Sequence, residues 1–367
     1  MCSNLATRNK KKNVLIIRVR AWNKEVILPQ RIDFVMSMLQ KNVNLEFYDI
    51  QPNRKLGYYI GYLFSFLLSF PKLFFKKTDI VLLENPYLVI FSPIFKLRNI
   101  KVIAEYVDYY PANLQRLKIQ RFFRYQIAKV ICVIFHNFVN TITTESETGK
   151  KTLLHWKVPI NKIEIVPVGI NTNQMVYSAE KRKLIRNLLK IEPDSFVIGY
   201  LGKMVDYYNL KNIFLAIEGL SNEIKDLIIL FVGDGPYKEE LEQFSNTLKM
   251  KTIFTGNIEH QFVSDYYSAM DLFIFPLNAL AIKIGELLSV GVPIIVPKGM
   301  AEDWIQDKYN GIIAKNISPK ELKSAIHLYL SLTDGQKKNI QTNQRNFAKN
   351  TLSRSIIARK YLQLLND

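Results

Sequence analysis

Apolar and polar positions along the chain alternate in blocks that are typical of strands and helices. Short aliphatic runs such as residues 14–19 (VLIIRV) and 227–232 (LIILFV) predict buried strands, and residues 31–40 carry apolar side chains at helical spacing. Further strands are predicted at 44–48, 79–83, 101–105, 140–144, 162–168, 196–201, 251–254, 272–275, 293–296 and 311–314. Further helices are predicted at 178–190, 210–220, 237–248, 261–269, 282–290, 319–332, 334–347 and 353–365. This alternation predicts an α/β protein with parallel, doubly wound sheets.

The length of the chain predicts more than one domain. A chain of 367 residues is too long for one ordinary core, and residues 167–177 (PVGINTNQMVY) are typical of an interdomain connection. We expect an amino-terminal domain over residues 1–170, a carboxyl-terminal domain over 171–350 and a final helix over 351–367. Because both large domains share one Rossmann-like architecture, a ligand is expected in the cleft between them.

Composition limits the class of protein. Apolar residues make up 48% of the chain, which is enough for large cores and argues against disorder beyond residues 1–12. The two cysteines, Cys2 and Cys132, lie far apart and form neither a disulfide framework nor a zinc motif, which is typical of a reducing compartment. Since the first residues lack the apolar core of a secretory signal, we expect a cytoplasmic protein.

The net charge of +18 is concentrated in the amino-terminal half. Residues 1–177 contain 26 Lys and Arg residues and 11 Asp and Glu residues, whereas from Ser178 onward the numbers are 24 and 21. This asymmetry indicates an anionic partner for the first half, either nucleic acid or a lipid surface. The basic residues are interleaved with aromatic residues inside predicted helices, and no RNA-recognition signature accompanies them. We therefore favour an anionic membrane surface and expect no nucleic acid.

Two segments of the first half differ from ordinary amphipathic helices. Residues 56–75 (LGYYIGYLFSFLLSFPKLFF) are apolar nearly all round and, broken by Pro71, are marginal in length for crossing a bilayer. A segment lying in the membrane interface is the favoured interpretation, and a fully buried helix is the alternative. Residues 115–138 predict a basic amphipathic helix with its charges facing lipid or phosphate. The residues expected at the lipid are Arg54, Lys55, Tyr58, Tyr59, Phe64, Lys72, Lys76, Lys77, Arg121 and Arg124.

Residues 271–297 (DLFIFPLNALAIKIGELLSVGVPIIVP) contain the strongest candidates for ligand-binding residues. Strand, loop, helix and strand form one parallel βαβ unit, and ligands bind at the carboxyl ends of such strands, here the loop 276–282. Glu286 lies one turn into the helix, on the same face as Lys283. A carboxylate accepts two hydrogen bonds from a vicinal diol such as a ribose, and a lysine can bind a phosphate. An ordinary solvated helix face is the alternative.

Three other loops are expected at the same edge of the sheet. Backbone amides at a glycine turn, with two lysines near a helix start, suit a diphosphate, and glycines let the backbone pass close to a ligand. The base of the nucleotide is expected to pack against the loop after the next strand. These loops contribute Gly202, Lys203 and Lys211, then Gly233, Asp234 and Gly235, and finally Asn257. Together they predict a nucleotide with two phosphates bound to the carboxyl-terminal domain.

No metal site is expected from the histidines. None of them lies at metal-ligand spacing from a cysteine or a carboxylate, so all are interpreted as structural. They are His136, His155, His260 and His327.

The order of the carboxyl-half motifs resembles that of a known family. GYLGK, LKN, LFVGDGP, FTGN, YYSAMDLFIFP, GELLSVGVPIIV and YNGII, preceded by KIEIVPVGINTNQM, are similar to the retaining glycosyltransferases of family four, and the match covers residues 162–365. The resemblance implies the GT-B fold, in which two Rossmann-like doubly wound domains face each other across a cleft and the final helix crosses back to the first domain. It also implies transfer of a sugar from a nucleotide-diphosphate donor, with retention at the anomeric carbon and no metal or other cofactor.

The resemblance assigns roles to individual residues. Glu286 would bind the donor ribose. Lys203 and Lys211 would take the places of the basic pair on the pyrophosphate, where they would offset the charge that builds on the leaving group. The segment that approaches the donor sugar would contain Asn278, Leu280, Ala281, Ile282 and Lys283.

The chain also departs from the family pattern. Asn278 stands where the family commonly has a second glutamate, and an amide cannot stabilise positive charge near the sugar. Some relatives carry instead a Lys-x-x-Glu pattern, which Lys283 and Glu286 fit. The glycine-rich acceptor loop after the first strand is absent, and the family's His-Asp appears as Val107-Asp108. Asp108 therefore inherits the candidate acceptor-side role, with capping of the next helix as the alternative.

The sequence thus predicts a retaining glycosyltransferase that acts on a lipid-linked or surface glycan acceptor, peripheral on the inner face of a membrane. Two alternatives stay open. The first is a non-catalytic nucleotide-sugar-binding protein or glycan-assembly subunit, which Asn278 and the missing histidine motivate. The second is a basic nucleic-acid-binding protein, which the charge alone motivates.

Overall fold

The protein consists of two compact units. The computed structural model describes residues 11–19, 39–51, 58–106, 119–220, 223–224, 226–277 and 282–367. One unit contains residues 1–169 together with 354–367, and the other contains residues 170–353. Each is built on a six-stranded sheet in which all pairings of neighbouring strands are parallel. The parallel α/β architecture predicted from the alternation of apolar blocks is therefore confirmed.

The amino-terminal sheet has the strand order β2-β1-β3-β4-β5-β6. Its strands are β1 Asn13–Val19, β2 Asn44–Ile50, β3 Ile80–Leu83, β4 Lys101–Tyr106, β5 Thr141–Thr144 and β6 Ile163–Ile165. Its helices include α1 Tyr58–Phe74, α2 Ser92–Leu97, α3 Ile119–Phe135 and α4 Glu147–His155. Because β1, β3 and β4 are covered on both faces, they read as continuous aliphatic runs. The predicted helix at 31–40 lies almost wholly outside the described residues.

Pro71 does not break the apolar helix of the first unit, and this expectation was wrong. Helix α1 runs from Tyr58 to Phe74 and contains Pro71. Proline removes an N–H donor and crowds the preceding turn, so it is most disruptive in the middle of a helix. Phe70 and Leu73, on either side of the proline, pack into the core of the unit, and this packing stabilises the helix against the loss of one backbone hydrogen bond.

The last helix of the chain, α12 (Arg354–Asn366), belongs to the amino-terminal unit. Its buried residues Ile357 and Tyr361 pack in one cluster with Ile16 of β1. The Lys101 ammonium donates to the carbonyl of Leu364 at 2.6 Å, so a cation lies at the carboxyl end of the helix, where the helix dipole favours positive charge. These contacts explain why the final helix returns to the first sheet.

The carboxyl-terminal sheet has the strand order β12-β11-β10-β7-β8-β9. Its strands are β7 Phe196–Leu201, β8 Leu227–Val232, β9 Thr252–Phe254, β10 Leu272–Ile274, β11 Ile294–Pro297 and β12 Ile312–Ala314. Its helices are α5 Ala179–Leu188, α6 Lys211–Ile217, α7 Lys238–Thr247, α8 Val263–Ala269, α9 Ile282–Val290, α10 Pro319–Leu330 and α11 Asp334–Phe347. The first strand of the unit, β7, has β8 on one side and β10 on the other. Such a reversal of strand order opens a crevice at the carboxyl ends of the strands.

Candidate functional site

The loops that follow β7, β8 and β9 enclose a pocket of about 600 Å³ at this edge of the carboxyl-terminal sheet. Among the residues predicted from the sequence, those in its wall are Gly202, Lys203, Gly233, Asp234, Gly235 and Asn257. Ile258, His260 and Val263 complete the side formed by the segment after β9. Residues that are more than fifty positions apart in the chain are thus brought together, because the carboxyl ends of parallel strands meet at one edge.

Backbone hydrogen bonds join the three loops into one floor. The amide of Gly202 donates to the carbonyl of Val232 at 2.8 Å, and the amide of Gly233 donates to the carbonyl of Gly256 at 2.9 Å. Gly233 has a φ of +125°, and a β-carbon on it would lie 2.2 Å from the carbonyl oxygen of Gly202. Only glycine fits where two backbone segments approach this closely. The floor of the pocket is therefore made of backbone, which a ligand can approach without meeting side chains.

Lys283 and Glu286 of α9 lie beside this floor. Glu286 is buried, with 5% of its surface exposed. A β-carbon on Gly202 would lie 2.4 Å from the Lys283 ammonium nitrogen, so this cation sits against the glycine turn after β7. A buried carboxylate next to a cation is not an ordinary solvated helix face, and that alternative is excluded.

His260 links Glu286 to the wall of the pocket. Its Nε2 lies 2.8 Å from Oε1 of Glu286, and its ring lines the pocket. The sequence interpretation of His260 as structural missed this position, because the partner carboxylate is 26 residues further along the chain. The available signal was the place of His260 in the loop after β9, at the edge where all the other site residues lie.

Two tyrosines support the same region from below the surface. The hydroxyl of Tyr200 donates to the carbonyl oxygen of Lys203 at 2.9 Å and so holds the turn that carries this lysine. Tyr267 on α8 is fully buried, and its hydroxyl has no hydrogen-bond partner among the described residues. Burial raises the pKa of Tyr267 well above its ordinary value, and the negative charge of Glu286 adds to the rise. Tyr267 therefore stays protonated within electrostatic reach of the carboxylate.

Lys211 is turned away from the pocket. Its ammonium is 2.6 Å from Oε1 of Glu240 and 5.0 Å from the centre of the Phe244 ring, and among the described residues it does not line the pocket wall. The hydrogen bond with Glu240 raises the pKa of Lys211. Its role on the pyrophosphate stays a prediction.

The remaining predicted site residues are less closely defined. Ile282 begins α9 and is 45% exposed. Asp108, Asn278, Leu280 and Ala281 lie outside the described residues.

A comparison with protein families matches residues 195–331 to the family described as "Glycosyl transferases group 1". The matched segment contains β7 through α10, and with them the whole wall of the pocket and the Lys283–Glu286 pair. This segment of the chain matches the group 1 glycosyl transferases, and the match confirms the glycosyltransferase family recognised from the sequence.

Curated relatives match the chain at low identity. The chain is 20% identical to the sulfoquinovosyl transferase SQD2 of Arabidopsis thaliana over 68% of its own length and 49% of that protein. It is 29% identical to the putative teichuronic acid biosynthesis glycosyltransferase TuaC of Bacillus subtilis, over 45% and 41% of the two chains. It is 24% identical to the alpha-monoglucosyldiacylglycerol synthase of Streptococcus pneumoniae, over 54% and 46%. The matched segments span about half the length of these relatives or less.

Solved structures show the same fold over nearly the whole chain. Anabaena Alr3699/HepE in complex with UDP superposes with a TM-score of 0.74 at 14% identity, covering 96% of this chain and 99% of that one. The sucrose-phosphate synthase of Thermosynechococcus elongatus gives a TM-score of 0.73 at 14% identity, covering 97% and 98%. Together with the two parallel sheets, this likeness confirms the α/β, two-unit GT-B fold class that was expected from the sequence.

Proposed function

We propose that the protein is a glycosyltransferase that uses a nucleotide-diphosphate sugar as its donor. The observation that carries this proposal is the meeting of Lys203, Lys283 and Glu286 around a backbone floor at the carboxyl edge of one sheet. Two cations suit a diphosphate, and a buried carboxylate suits the adjacent ribose diol. The group 1 glycosyl transferase family of this segment supports the same chemistry.

The proposed reaction depends on placing positive charge where negative charge develops. When the bond between sugar and diphosphate breaks, the leaving nucleotide gains charge on its terminal phosphate. Lys203 lines the pocket and the ammonium of Lys283 lies against Gly202, so both cations are within the region where they would offset that charge. Retention at the anomeric carbon and independence of a metal ion are further parts of the proposal, and the resemblance to family four supports them.

A transfer assay tests the proposal. A panel of radiolabelled nucleotide sugars is incubated with the protein and membrane lipids, with and without EDTA, and the product linkage is read by NMR. We expect transfer that survives EDTA and retains the donor's anomeric configuration. Transfer that Glu286→Ala leaves unaffected would contradict the proposed site. Tight donor binding without transfer or hydrolysis would instead support the alternative, a non-catalytic nucleotide-sugar-binding protein.

Lys283 should give donor binding a distinctive pH dependence. Burial lowers the pKa of Lys283 below the ordinary lysine value of 10.5, while the charge of Glu286 opposes the shift. Affinity for UDP should therefore fall by about tenfold as the pH rises, starting at a lower pH than an ordinary lysine would set. Lys283→Arg should move this fall to higher pH, because arginine stays charged.

Calorimetric titrations with UDP between pH 7 and pH 10.5 measure this effect. Lys338→Arg changes an exposed lysine on α11 in the same unit and serves as the matched control. An identical alkaline fall in the wild type and in Lys283→Arg would show that another group is responsible.

For the acceptor, we propose a lipid-linked or surface glycan presented at an anionic membrane. The outer face of α1 exposes Phe64, Leu67, Leu68 and Phe74, and Phe75 directly after the helix is also exposed. The outer face of α3 exposes Ile127, Val130, Val133 and Ile134. Exposed apolar faces of this kind mark interaction sites, and the fully buried helix that was the alternative for α1 is excluded.

The two apolar faces belong to one side of the amino-terminal sheet. Phe66 and Phe70 of α1 pack in the same core cluster as Tyr125 and Cys132 of α3. The half of the chain that carries both helices also carries most of the net positive charge, and this combination suits an anionic lipid surface. No helix among the described residues is long and apolar enough to cross a membrane. The exposed apolar faces and the positive charge lead us to propose that the protein lies on the inner face of a membrane.

The structure describes only some of the predicted lipid-facing residues. Lys72 and Lys77 are exposed, whereas Lys76 is paired with Glu46. On the described part of α3 the outer face is apolar, although charges were expected there. Arg54 and Lys55 lie outside the described residues, and so do the side chains of Tyr58, Tyr59, Arg121 and Arg124.

The names of two relatives support a lipid-linked acceptor. One is the alpha-monoglucosyldiacylglycerol synthase, and another is a UDP-Gal:alpha-D-GlcNAc-diphosphoundecaprenol alpha-1,3-galactosyltransferase of Escherichia coli, 24% identical over 49% of this chain and 48% of that protein. The first name gives a glycolipid as the product of the enzyme, and the second gives a lipid-linked sugar as the acceptor. Both names therefore support an acceptor that is held on a lipid, which is the class that we propose for this chain.

Charged residues on the outer face of α1 should weaken membrane binding. The double change Leu67→Asp and Leu68→Asp removes two exposed leucines, each worth about 1.5–3 kcal/mol when buried, and should weaken binding to phosphatidylglycerol vesicles by at least about tenfold. The control is Leu184→Asp with Leu188→Asp, which changes two equally exposed leucines on α5 of the other unit. Sedimentation with vesicles measures both. Equal binding by the two double variants would contradict the proposed surface.

A further inference from the structure

His260 occupies a position that donor binding alone does not explain. It stands at the start of a short 3-10 turn, His260–Phe262, which leads directly into α8. Every residue of α8 is buried, and this helix packs against α9, which carries Glu286. The turn therefore fixes the backbone of His260 relative to α9, and the imidazole, although mostly exposed, reaches the carboxylate of Glu286.

We propose that His260 is a positioning residue that orients Glu286 for the ribose and thereby sets a preference for ribonucleotide over deoxyribonucleotide donors. This inference rests on the proposed function. It adds a residue that distinguishes a nucleotide with a ribose from one with a deoxyribose. The Nε2–H of His260 donates to Oε1 of Glu286 at 2.8 Å. Within the part of the chain that the structure describes, no other group donates a hydrogen bond to this carboxylate.

The hydrogen bond decides which lone pairs remain for a ligand. A carboxylate offers about four acceptor sites, and the torsion that turns it is broad and two-fold. With Oε1 held by His260, Oε2 and the second lone pair of Oε1 stay available at a fixed orientation for two hydroxyl groups. Without His260 the carboxylate can rotate. Binding of the two hydroxyl groups must then also order the carboxylate, which lowers the affinity.

The surrounding charged groups do not replace this contact. Lys283 on α9 lies against Gly202, and the hydroxyl of Tyr200 on β7 is engaged with the carbonyl of Lys203. Tyr267 on α8 lies within electrostatic reach of Glu286 but is fully buried, and Lys203 lies in the pocket wall. Both the neutral imidazole with its proton on Nε2 and the imidazolium donate at this atom. The role of His260 therefore requires a donor at the Nε2 position and does not require a particular protonation state.

The choice of amide replacement separates this role from a general one. The side-chain nitrogen of glutamine reaches about as far from the backbone as Nε2 of histidine, whereas that of asparagine reaches only about as far as Nδ1. His260→Gln should therefore keep the contact with Glu286. His260→Asn and His260→Ala should both lose it. A merely structural histidine gives no reason for this order.

Calorimetric titration of the full chain with UDP and with 2′,3′-dideoxy-UDP tests the proposal, with GDP and its dideoxy analogue in parallel. His260→Ala should weaken UDP binding by about tenfold and leave dideoxy-UDP binding unchanged. His260→Gln should restore UDP binding, and His260→Asn should not. In the Glu286→Ala background, His260→Ala should have no further effect, because the two residues act as a unit. In turnover, the change should appear in KM for the donor and not in kcat.

The outcomes separate this inference from the proposed function. If Glu286→Ala weakens UDP binding and His260→Ala does not, the positioning role is wrong and the donor site stands. If His260→Ala weakens UDP and dideoxy-UDP equally, His260 acts by packing and not through the ribose, which also overturns the inference. If the wild-type chain binds neither UDP nor GDP, the proposed function fails and the inference fails with it. Melting temperatures of all variants identify any that fail to fold.

Discussion

Glu286→Ala should weaken binding of the donor nucleotide by about 100-fold while the chain keeps its fold. The change removes two charge-assisted hydrogen bonds to the ribose, each worth about 1.5–3 kcal/mol, and each 1.4 kcal/mol corresponds to about a factor of ten in affinity. Because Glu286 is buried beside Lys283, the change also leaves that ammonium without its nearest negative charge. The pKa of Lys283 should then fall further, and its contact with the diphosphate should weaken.

Glu286→Gln separates the two effects. The amide keeps the shape of the side chain and can still accept one hydrogen bond, so we expect a loss of about tenfold. Calorimetric titration with UDP measures each variant, and Glu180→Ala on α5 is the control for removing an exposed glutamate from the same unit. Unchanged UDP affinity in Glu286→Ala would contradict the assignment of Glu286 to the donor.

Gly233→Ala should disrupt the pocket through a steric clash between two backbone segments. The added methyl group would lie 2.2 Å from the carbonyl oxygen of Gly202, and this atom belongs to backbone that cannot rotate away. The loops after β7 and β8 must separate, which breaks the hydrogen bond between Gly202 and Val232. We expect a loss of about 2–4 kcal/mol in the free energy of unfolding and no measurable nucleotide binding.

Gly256→Ala is the matched control for this prediction. Gly256 also has a positive φ, +73°, but a β-carbon there has no atom within 4 Å. Its substitution therefore tests backbone strain without collision and should cost about 1 kcal/mol, with nucleotide binding largely kept. Thermal unfolding and UDP titration compare the two variants. Equal effects of the two substitutions would show that the close approach of Gly233 and Gly202 does not matter.

The sequence predicted those parts of the site that follow from strand topology. Gly202 and Gly233 each come directly after a predicted strand, Asn257 lies three residues beyond another, and parallel strands end at one edge of a sheet. Their meeting in one pocket therefore needs no knowledge of side-chain packing. The same reasoning places the loop before Glu286 at this edge.

Other features depend on packing that has no short-range signal. The contact of His260 with Glu286 requires α8 and α9 to pack at a particular offset, which no spacing along the chain reveals. Helices α2 and α4 were not predicted, because α2 has only six residues and the buried side of α4 carries a glycine, a threonine and a single leucine. The continuation of α1 through Pro71 depends on the packing of Phe70 and Leu73 into the core.

The role of Lys211 depends on its ion pair with Glu240, which the sequence did not indicate. Its pairing with Glu240 is an exposed ion pair that water screens, so it is weaker than a charge-assisted hydrogen bond to a diphosphate in the pocket. A diphosphate within reach would therefore compete well for this ammonium. The predicted role of Lys211 is consistent with its position at the start of α6 and stays a prediction, as do those of Asp108 and Asn278.

A crystal structure of the full chain with a nucleoside diphosphate tests the central claim most directly. The account predicts that the two phosphates lie against Gly202, Lys203 and Lys283, and that the ribose hydroxyls lie within hydrogen-bond distance of Glu286. A nucleotide bound at any other edge of the carboxyl-terminal sheet, or with its ribose turned away from Glu286, would contradict it.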